Sequence, residues 1–569
     1  MQNQEKLDIL RHSAAHLLAH AVHQLYPATK LTLGPPTKEG FFYDMQTDEN
    51  FKEQDLPKLE QRMRELSEQN IPISHRQISK EEAREIFKGN PFKLEMIDLL
   101  PSETVGLAEQ GDFHDLCKGG HVDSTGDIKH FKLLNISGSY WRADRSGTPL
   151  QRISGTAFFS EKELNAYLQR LEDLKQYDHR RLGKQMELFA FHEEGPGFPF
   201  FLPKGRVVYN IMMDYMRKIL RKYDHEEIST PNMLSADLWK QSGHYDHYKE
   251  NMYFSEIDEK EFAIKPMNCP GSILVYKGRP RSYRELPLRL AEIGQMHRHE
   301  LSGVLNGLFR VRSFVMDDAH IYCTSEQIES EVLSLIKMID EVMKKFGFDK
   351  IDVALSTRPE KAMGTDEMWK NAESSLTEAL NKSGLKYKIQ EGDGAFYGPK
   401  IDFKIKDSMD REWQCSTIQV DFNNPQNFDL NYINSKGEKE RPVMIHRAIY
   451  GSFERFYGII LEHYKGNFPF WLAPEQVRVL TITDSANDYA QSIVDAFKKA
   501  DIRITTDSSS DPISGKIKSA QLAKVPWMII IGKKEQEKNC VSIRYQNRKQ
   551  EQGLSLEDAI EKAKKLTEY

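Results

Sequence analysis

Two loops that neither a helix nor a strand can run through cut this 569-residue chain into pieces. Glu194-Gly-Pro-Gly-Phe-Pro199 and Asn467-Phe-Pro-Phe-Trp-Leu-Ala-Pro474 concentrate proline, which lacks a backbone donor and fixes its own φ. Each piece must bury a core of its own, and this length suggests about three or four domains. Before the first loop, a helix is expected over 7–25, a charged helix over 55–69 and a strand over 128–134. Residues 160–185, rich in Leu, Lys, Glu and Arg at helical spacing, read as a solvated helical connector. Between the loops, a helix over 205–223, a strand ending at Pro231 and a mixture of strands, helices and Gly/Pro turns suggest a large α/β region on an antiparallel sheet. After the second loop, strands (477–482, 503–506, 527–531, 540–545) alternate with helices (489–500, 514–523, 556–566), the pattern of a small α/β domain.

Composition excludes several classes. A net charge of -6, with 39% hydrophobic and 29% charged residues, fits an ordinary soluble protein and argues against a wholly basic nucleic-acid coat. A local basic surface stays open, since basic residues slightly outnumber acidic ones after Gly466. Five cysteines, an odd and sparse set, do not form a disulfide framework and point to a reducing compartment. His12, His16, His20 and His23 interrupt any signal-peptide core, and no apolar stretch reaches the ~20 residues that span a bilayer. The expectation is a soluble cytoplasmic protein with no membrane association.

Three constellations carry chemistry. Cys269 in a turn, and His320 and His446 on strands, offer one thiol and two imidazoles. Three protein ligands with a fourth position open would make a functional rather than a structural zinc site, although such residues at strand ends more often pack or hydrogen-bond. No Walker or dinucleotide fingerprint is present, so a nucleotide site must be of another kind. Arg298 and Glu300, two apart on an expected strand, point to one side. The guanidinium could grip an α-phosphate while the carboxylate accepts from an amino group, with Arg455 reaching further phosphates. Surface ion pairs are the alternative. Finally, His16 and His20 share a helix face, and His114-Asp-Leu-Cys117-Lys-Gly-Gly-His121 adds a thiol and an imidazole. Metal binding, a held catalytic water and a merely histidine-rich helix are all compatible with this cluster.

Read together, these stretches resemble the bacterial-type threonine–tRNA ligase family. The resemblance runs from Arg11-His-Ser-Ala-Ala-His-Leu-Leu-Ala-His20 through Gly138-Ser-Tyr-Trp-Arg142, Ile264-Lys-Pro-Met-Asn-Cys-Pro-Gly271 and Leu308-Phe-Arg-Val-Arg312. It continues through Asp317-Asp-Ala-His320, Leu355-Ser-Thr-Arg-Pro-Glu360, Gly394-Ala-Phe-Tyr-Gly-Pro-Lys400 and Met444-Ile-His-Arg-Ala-Ile449. It implies a multidomain α/β and α+β chain: an editing domain (1–155), a helical linker (156–190), a class II catalytic domain on an antiparallel sheet (191–465) and an α/β anticodon-binding domain (466–569). The ubiquitin-like module often found at the N-terminus of the family has no counterpart here.

The resemblance also assigns residues. Arg298, Glu300 and Arg310 fall in motif 2, which binds ATP, and Arg455 in motif 3. Met267, Asp318, Tyr397, Lys400, Gln414, Thr417 and Ser452 match the threonine and ATP pocket, and Cys269, His320 and His446 hold one Zn2+ per subunit. His16, His20, Lys93, Asp115, Cys117 and His121 match the site that hydrolyses mischarged Ser-tRNA(Thr), without a metal. Implied partners are tRNA(Thr), L-threonine, ATP with Mg2+ and a second subunit packed through the motif 1 helix. Arg503, Lys516 and Arg544 are candidates for RNA contact. Met316, Ser272, Asn306 and Lys518 depart from frequent family residues. The alternative function is a non-catalytic tRNA-binding relative, against which Arg298, Glu300, Arg455 and the Cys/His triad argue.

Overall fold

The computed structural model describes residues 2–144 and 146–568. They form two compact units divided between Asp173 and Leu174, within the helix Glu161–Gln176.

In the first unit, the helix Gln2–Leu25 runs through the core: Ala14, Ala15, Leu17, Leu18, Ala19, Ala21 and Val22 are all fully buried. The alanines keep its flanks thin, so the helix Leu56–Glu68 and a four-stranded antiparallel sheet both reach it. That sheet has the order Lys30–Leu31, Phe41–Gln46, Pro149–Phe158, His130–Tyr140. The strand expected over 128–134 thus runs over His130–Tyr140. A second sheet, Ile73–Ser79, Thr104–Gln110 and Phe113–Leu116, delivers Cys117 just past its last strand, where the Cys117 N–H donates to Gly106 O (2.9 Å).

In the second unit, the expected solvated connector breaks at Tyr177 and Asp178, and its second half, the helix His179–Gln185, buries His179, Leu182 and Gly183. An eight-stranded sheet follows, in the order Glu226–Glu227, Leu288–His297, Ser313–Cys323, Val443–Ala448, Glu412–Asp421, Lys400–Lys406, Ile351–Ser356, Tyr387–Gln390. All pairings are antiparallel except the two at its edges. Residues on a strand alternate between faces. Along Ser313–Cys323, Ala319 and Ile321 join the large core while Met316, Asp318 and His320 turn to the opposite face. The core side is covered by the helices Pro203–Lys222, Ile328–Lys345 and Phe453–His463. The middle helix shows why: Ile328, Val332, Leu335, Ile339 and Val342 repeat at three and four residues and are buried. Each such side chain contributes about 1.5–3 kcal/mol relative to exposure.

The tail forms a five-stranded sheet, Ile504–Asp507, Val477–Thr481, Trp527–Ile531, Val541–Tyr545, Gln550–Leu554. The first three strands are parallel, linked by the expected helices. Two residues picked for RNA contact are engaged internally. Lys516 is 3% exposed and its ammonium donates to Thr481 O (2.8 Å), while the Arg503 guanidinium donates to Trp471 O and Ala473 O. Lys516 is therefore withdrawn as an RNA ligand.

Candidate functional site

On the face of the large sheet opposite the helices Pro203–Lys222 and Ile328–Lys345 lies a cleft of about 660 Å³. One end is formed by Cys269, His320 and His446, whose ligand atoms all lie within 4.8 Å of one another and which are all buried. His320 and His446 are directly opposite each other on antiparallel strands, with ring centroids 5.0 Å apart. Cys269 is not in a turn, as expected, but is the first residue of the helix Cys269–Lys277, where the positive end of the helix favours a thiolate. Nδ1 of His320 is buried without a hydrogen-bond partner. One ring nitrogen of His446 is held by Asp421 (2.9 Å), whose other oxygen accepts from the N–H groups of Asn423 and Asn424. A carboxylate behind a ligand histidine is a recurrent way of orienting it. Burial pushes the Cys269 thiol well above its ordinary pKa, with Asp318 and Asp421 adding to it, and burial holds the His320 imidazole neutral. A cation at their focus would reverse the first of these. An orphaned imidazole nitrogen, a buried thiol and a braced second imidazole fit a soft divalent ion such as zinc.

Next to the triad, Asp318 accepts from Asn268 Nδ2 (2.8 Å). Asn268 fits only because position 294 is glycine, where a Cβ would come within 2.4 Å of its side-chain oxygen. Tyr397 donates to Gln419, and its ring lies against His446. Gln414 (2.6 Å) and Thr417 both donate to Asp402 Oδ1. They are an odd number of residues apart yet face one carboxylate because a bulge at Phe403/Lys404 shifts the register. Lys400 does not line the cleft. Its ammonium pairs with Asp402 (2.9 Å), so it stands behind the lining and holds the carboxylate that holds Gln414 and Thr417.

Arg298, Glu300, Arg310 and Arg455 line the same cleft. Arg298 and Glu300 lie just past the strand Leu288–His297 rather than on it, yet both reach the cleft. Arg310 donates to Glu300 (2.8 Å), and the Arg298 guanidinium lies 5.1 Å from the centroid of Phe314. Ser452 caps the helix Phe453–His463 by accepting from the Arg455 N–H (3.1 Å), and Nε of Arg455 is buried without a partner. Met267 and Met316 also line the cleft. Ser272 does not, because its hydroxyl is spent on Tyr322 (3.0 Å).

The first unit holds a second cluster, with one change from expectation. Cys117 Sγ lies 3.1 Å from His121 Nε2 and 3.4 Å from His12 Nε2, and His16 Nε2 is 3.2 Å from His12 Nε2. His12 therefore completes the cluster. His20 belongs to a separate network, with Asp112 (2.8 Å) and Gln110 (2.9 Å). Asp115 is buried against Lys93, accepts from Tyr43 Oη (2.6 Å) and faces His16 Nδ1 (3.3 Å). Burial disfavours its charge, but Lys93 and then His16 outweigh that and keep its pKa below the usual carboxylate value. Burial lowers the imidazoles, His16 to about 3 and His121 to about 4, and raises the Cys117 thiol. At neutral pH the cluster is three neutral imidazoles and a thiol beside a buried Lys–Asp pair.

A pH dependence follows. Unfolded imidazoles titrate near 6.5. Below that the unfolded chain takes up protons that the folded one refuses, so this stability is complete above about pH 6.5 and drains away as pH falls toward 4. In calorimetry of the whole chain, the unfolding transition of residues 1–173 is expected to move to lower temperature between pH 7 and pH 5. An unmoved midpoint would contradict neutral burial.

Comparison with known proteins adds independent findings. Residues 253–464 match the tRNA synthetase class II core domain (G, H, P, S and T), residues 476–566 the anticodon binding domain, and residues 105–154 the threonyl and alanyl tRNA synthetase second additional domain. A threonine–tRNA ligase of Clostridium tetani is 52% identical over 563 residues, 98% of this chain and 88% of that protein. One of Acetivibrio thermocellus is 51% identical over 540 residues, 94% and 85% of the two chains. Among solved structures, the RNA binding domain of threonyl-tRNA synthetase from Cryptosporidium parvum aligns with a TM-score of 0.65 at 44% identity, covering 68% of this chain and 98% of that one. A putative threonyl-tRNA synthetase of Aeropyrum pernix aligns with 0.60 at 30% identity, covering 68% and 93%.

Proposed function

The chain belongs to the threonine–tRNA ligase family, and from that premise we propose how its two sites divide the work of accuracy. As a class II synthetase with an editing-type domain, it joins threonine to tRNA at the expense of ATP. The proposed division is editing in 1–155, a linker in 156–190, catalysis in 191–465 and anticodon binding in 466–569.

The problem is chemical. Valine is nearly isosteric with threonine, and an apolar pocket separates isosteres poorly, whereas a site that must engage the hydroxyl rejects an analogue lacking it by roughly 10⁴–10⁵. Cys269, His320 and His446 would hold a zinc ion, which when bound supplies an open Lewis-acidic position for the substrate's amino group and β-hydroxyl. Asp318, oriented by Asn268, sits beside that end of the cleft to accept from the amino group. Arg298 and Arg310 neutralise the α-phosphate as a threonine carboxylate oxygen attacks phosphorus and the bond to pyrophosphate breaks. Arg455 meets the departing phosphates, and Mg2+ accompanies ATP. The observation that carries this reading is that both sets of residues line one continuous cleft.

Serine has the same two groups and lacks only a methyl, worth about 1–3 kcal/mol of discrimination, so a second sieve is needed. In the first unit, Lys93 and the neutral imidazoles would position water and move its proton during attack on the seryl ester. The motif 1 helix, Pro203–Lys222, is proposed to pair two subunits. Among the described residues no helix is long and apolar enough to cross a membrane, and a cytoplasmic location is proposed with the family.

The test is ATP–pyrophosphate exchange by zinc-loaded protein. Threonine should support exchange and valine should be at least about 10³-fold poorer in kcat/KM. Equal exchange with valine, or none with threonine, would refute the reading.

A further inference from the structure

His179 belongs to neither site described above, yet it is fully buried at the start of the helix His179–Gln185. Its backbone N–H and its Nδ1 both meet Glu462 Oε1, at 2.7 and 2.6 Å. With Nδ1 donating to a carboxylate, Nε2 keeps a lone pair, and the Leu308 N–H donates to it (3.0 Å). Leu308 is the middle of the turn Gly307–Phe309, which leads directly into Arg310. Glu462 is on the helix Phe453–His463, which carries Arg455. One imidazole thus bridges the turn before Arg310 and the helix that carries Arg455, two of the elements that bring arginines to the cleft.

Packing repeats the connection. The His179 ring lies 4.1 Å from Phe309, Phe309 lies 4.4 Å from Trp413, and the Arg455 guanidinium sits 5.8 Å from the Trp413 ring. The approach is tight enough to require glycine at two positions. A Cβ on Gly307 would come within 2.1 Å of His179 Nε2, and one on Gly458 within 2.9 Å of Phe309. Glu462 is held in turn by Arg411, which also pairs with Asp407. The arginines themselves are lightly anchored: Arg310 is half exposed and Arg455 Nε has no partner.

We propose that His179 is a positioning residue for ATP: donating to Glu462 and accepting from Leu308, it fixes the register between the turn before Arg310 and the helix of Arg455. The proposal rests on the reading of these arginines as nucleotide ligands. It follows from the sensitivity of phosphoryl chemistry to misplacement of its charged groups by an ångström or so.

His179→Phe keeps a ring against Phe309 and removes both side-chain hydrogen bonds. In exchange assays with the full chain, it should raise KM for ATP about tenfold while KM for threonine stays within about twofold. His179→Gln, whose side-chain oxygen can accept from Leu308, should recover most of the loss. Gly307→Ala pushes the turn off an intact His179 and should raise KM for ATP similarly. The double variant H179F/G307A should be no worse than either single one, because both break the same contact. An unchanged KM for ATP in His179→Phe, equal rises in both KM values, or fully additive effects would overturn the proposal. Should His179→Phe fail to fold, Gly307→Ala decides it by the same split, and an unchanged KM for ATP there overturns the proposal. Arg455→Ala is measured alongside: an unaltered KM for ATP there refutes the nucleotide reading itself, and the role of His179 with it.

Discussion

In the His320→Ala variant, threonine-dependent exchange is expected to fall by about 10⁴-fold in kcat/KM, and the preference for threonine over valine to collapse toward unity. The geometry leaves little room for a milder result. The three ligand atoms converge within 4.8 Å in a buried pocket, and removing one imidazole leaves two donors, too few to hold a zinc ion with an open position. The polar side chains that remain at this end are already engaged, Tyr397 with Gln419 and Asp318 with Asn268, so none is free to take over from the ion in meeting the hydroxyl. Elemental analysis of the dialysed protein should show about one zinc per native chain and none in the variant. A variant that lost the metal yet still preferred threonine by a thousandfold would move selectivity away from the triad.

The second large effect is expected in hydrolysis of Ser-tRNA(Thr). His121→Ala should slow it by about 10²–10⁴-fold, the usual contribution of a positioned acid or base, while exchange with threonine stays unchanged. His12→Ala should behave alike, since Cys117 touches both imidazoles. His20→Ala should chiefly cost stability, because its ring is committed to Gln110 and Asp112. Single-turnover deacylation of preformed Ser-tRNA(Thr) separates these cases. If His20→Ala lost hydrolysis and His12→Ala kept it, the editing centre would be the pair read from sequence and not the one seen in the fold.

That contrast shows what the sequence could carry. His12, His16 and His20 recur every four residues on one helix face, so local spacing cannot say which two matter. The choice is made by where the loop carrying Cys117 lands, about a hundred residues later. Likewise, Lys516 reads as a basic residue on a helix, and only the packing of that helix against Val477–Thr481 turns its ammonium inward. Lys400 was placed in the pocket by its neighbours in sequence and stands behind it through Asp402. By contrast, the alternating strands and helices of the tail are legible because strands such as Trp527–Ile531 are short apolar runs and the helix Asn487–Lys499 carries a clear apolar face. Its last strand, Gln550–Leu554, was missed because it is almost wholly polar. Asp421 and Asn268 carried no local signal, since their roles depend on strand partners and on the glycine at 294.

The pairing of His320 with His446 across adjacent strands has a further effect. If Val443–Ala448 slid by one residue against Ser313–Cys323, Ile445 or Arg447 would stand opposite His320 and His446 would turn to the helical layer. Such a molecule could bury a respectable interior and still lack a second imidazole for the ion. If the proposed zinc is bound there, its uptake would act as a checkpoint on assembly: only chains whose central strands are aligned could be loaded, and an unloaded fraction would report misassembly as well as scarcity of metal.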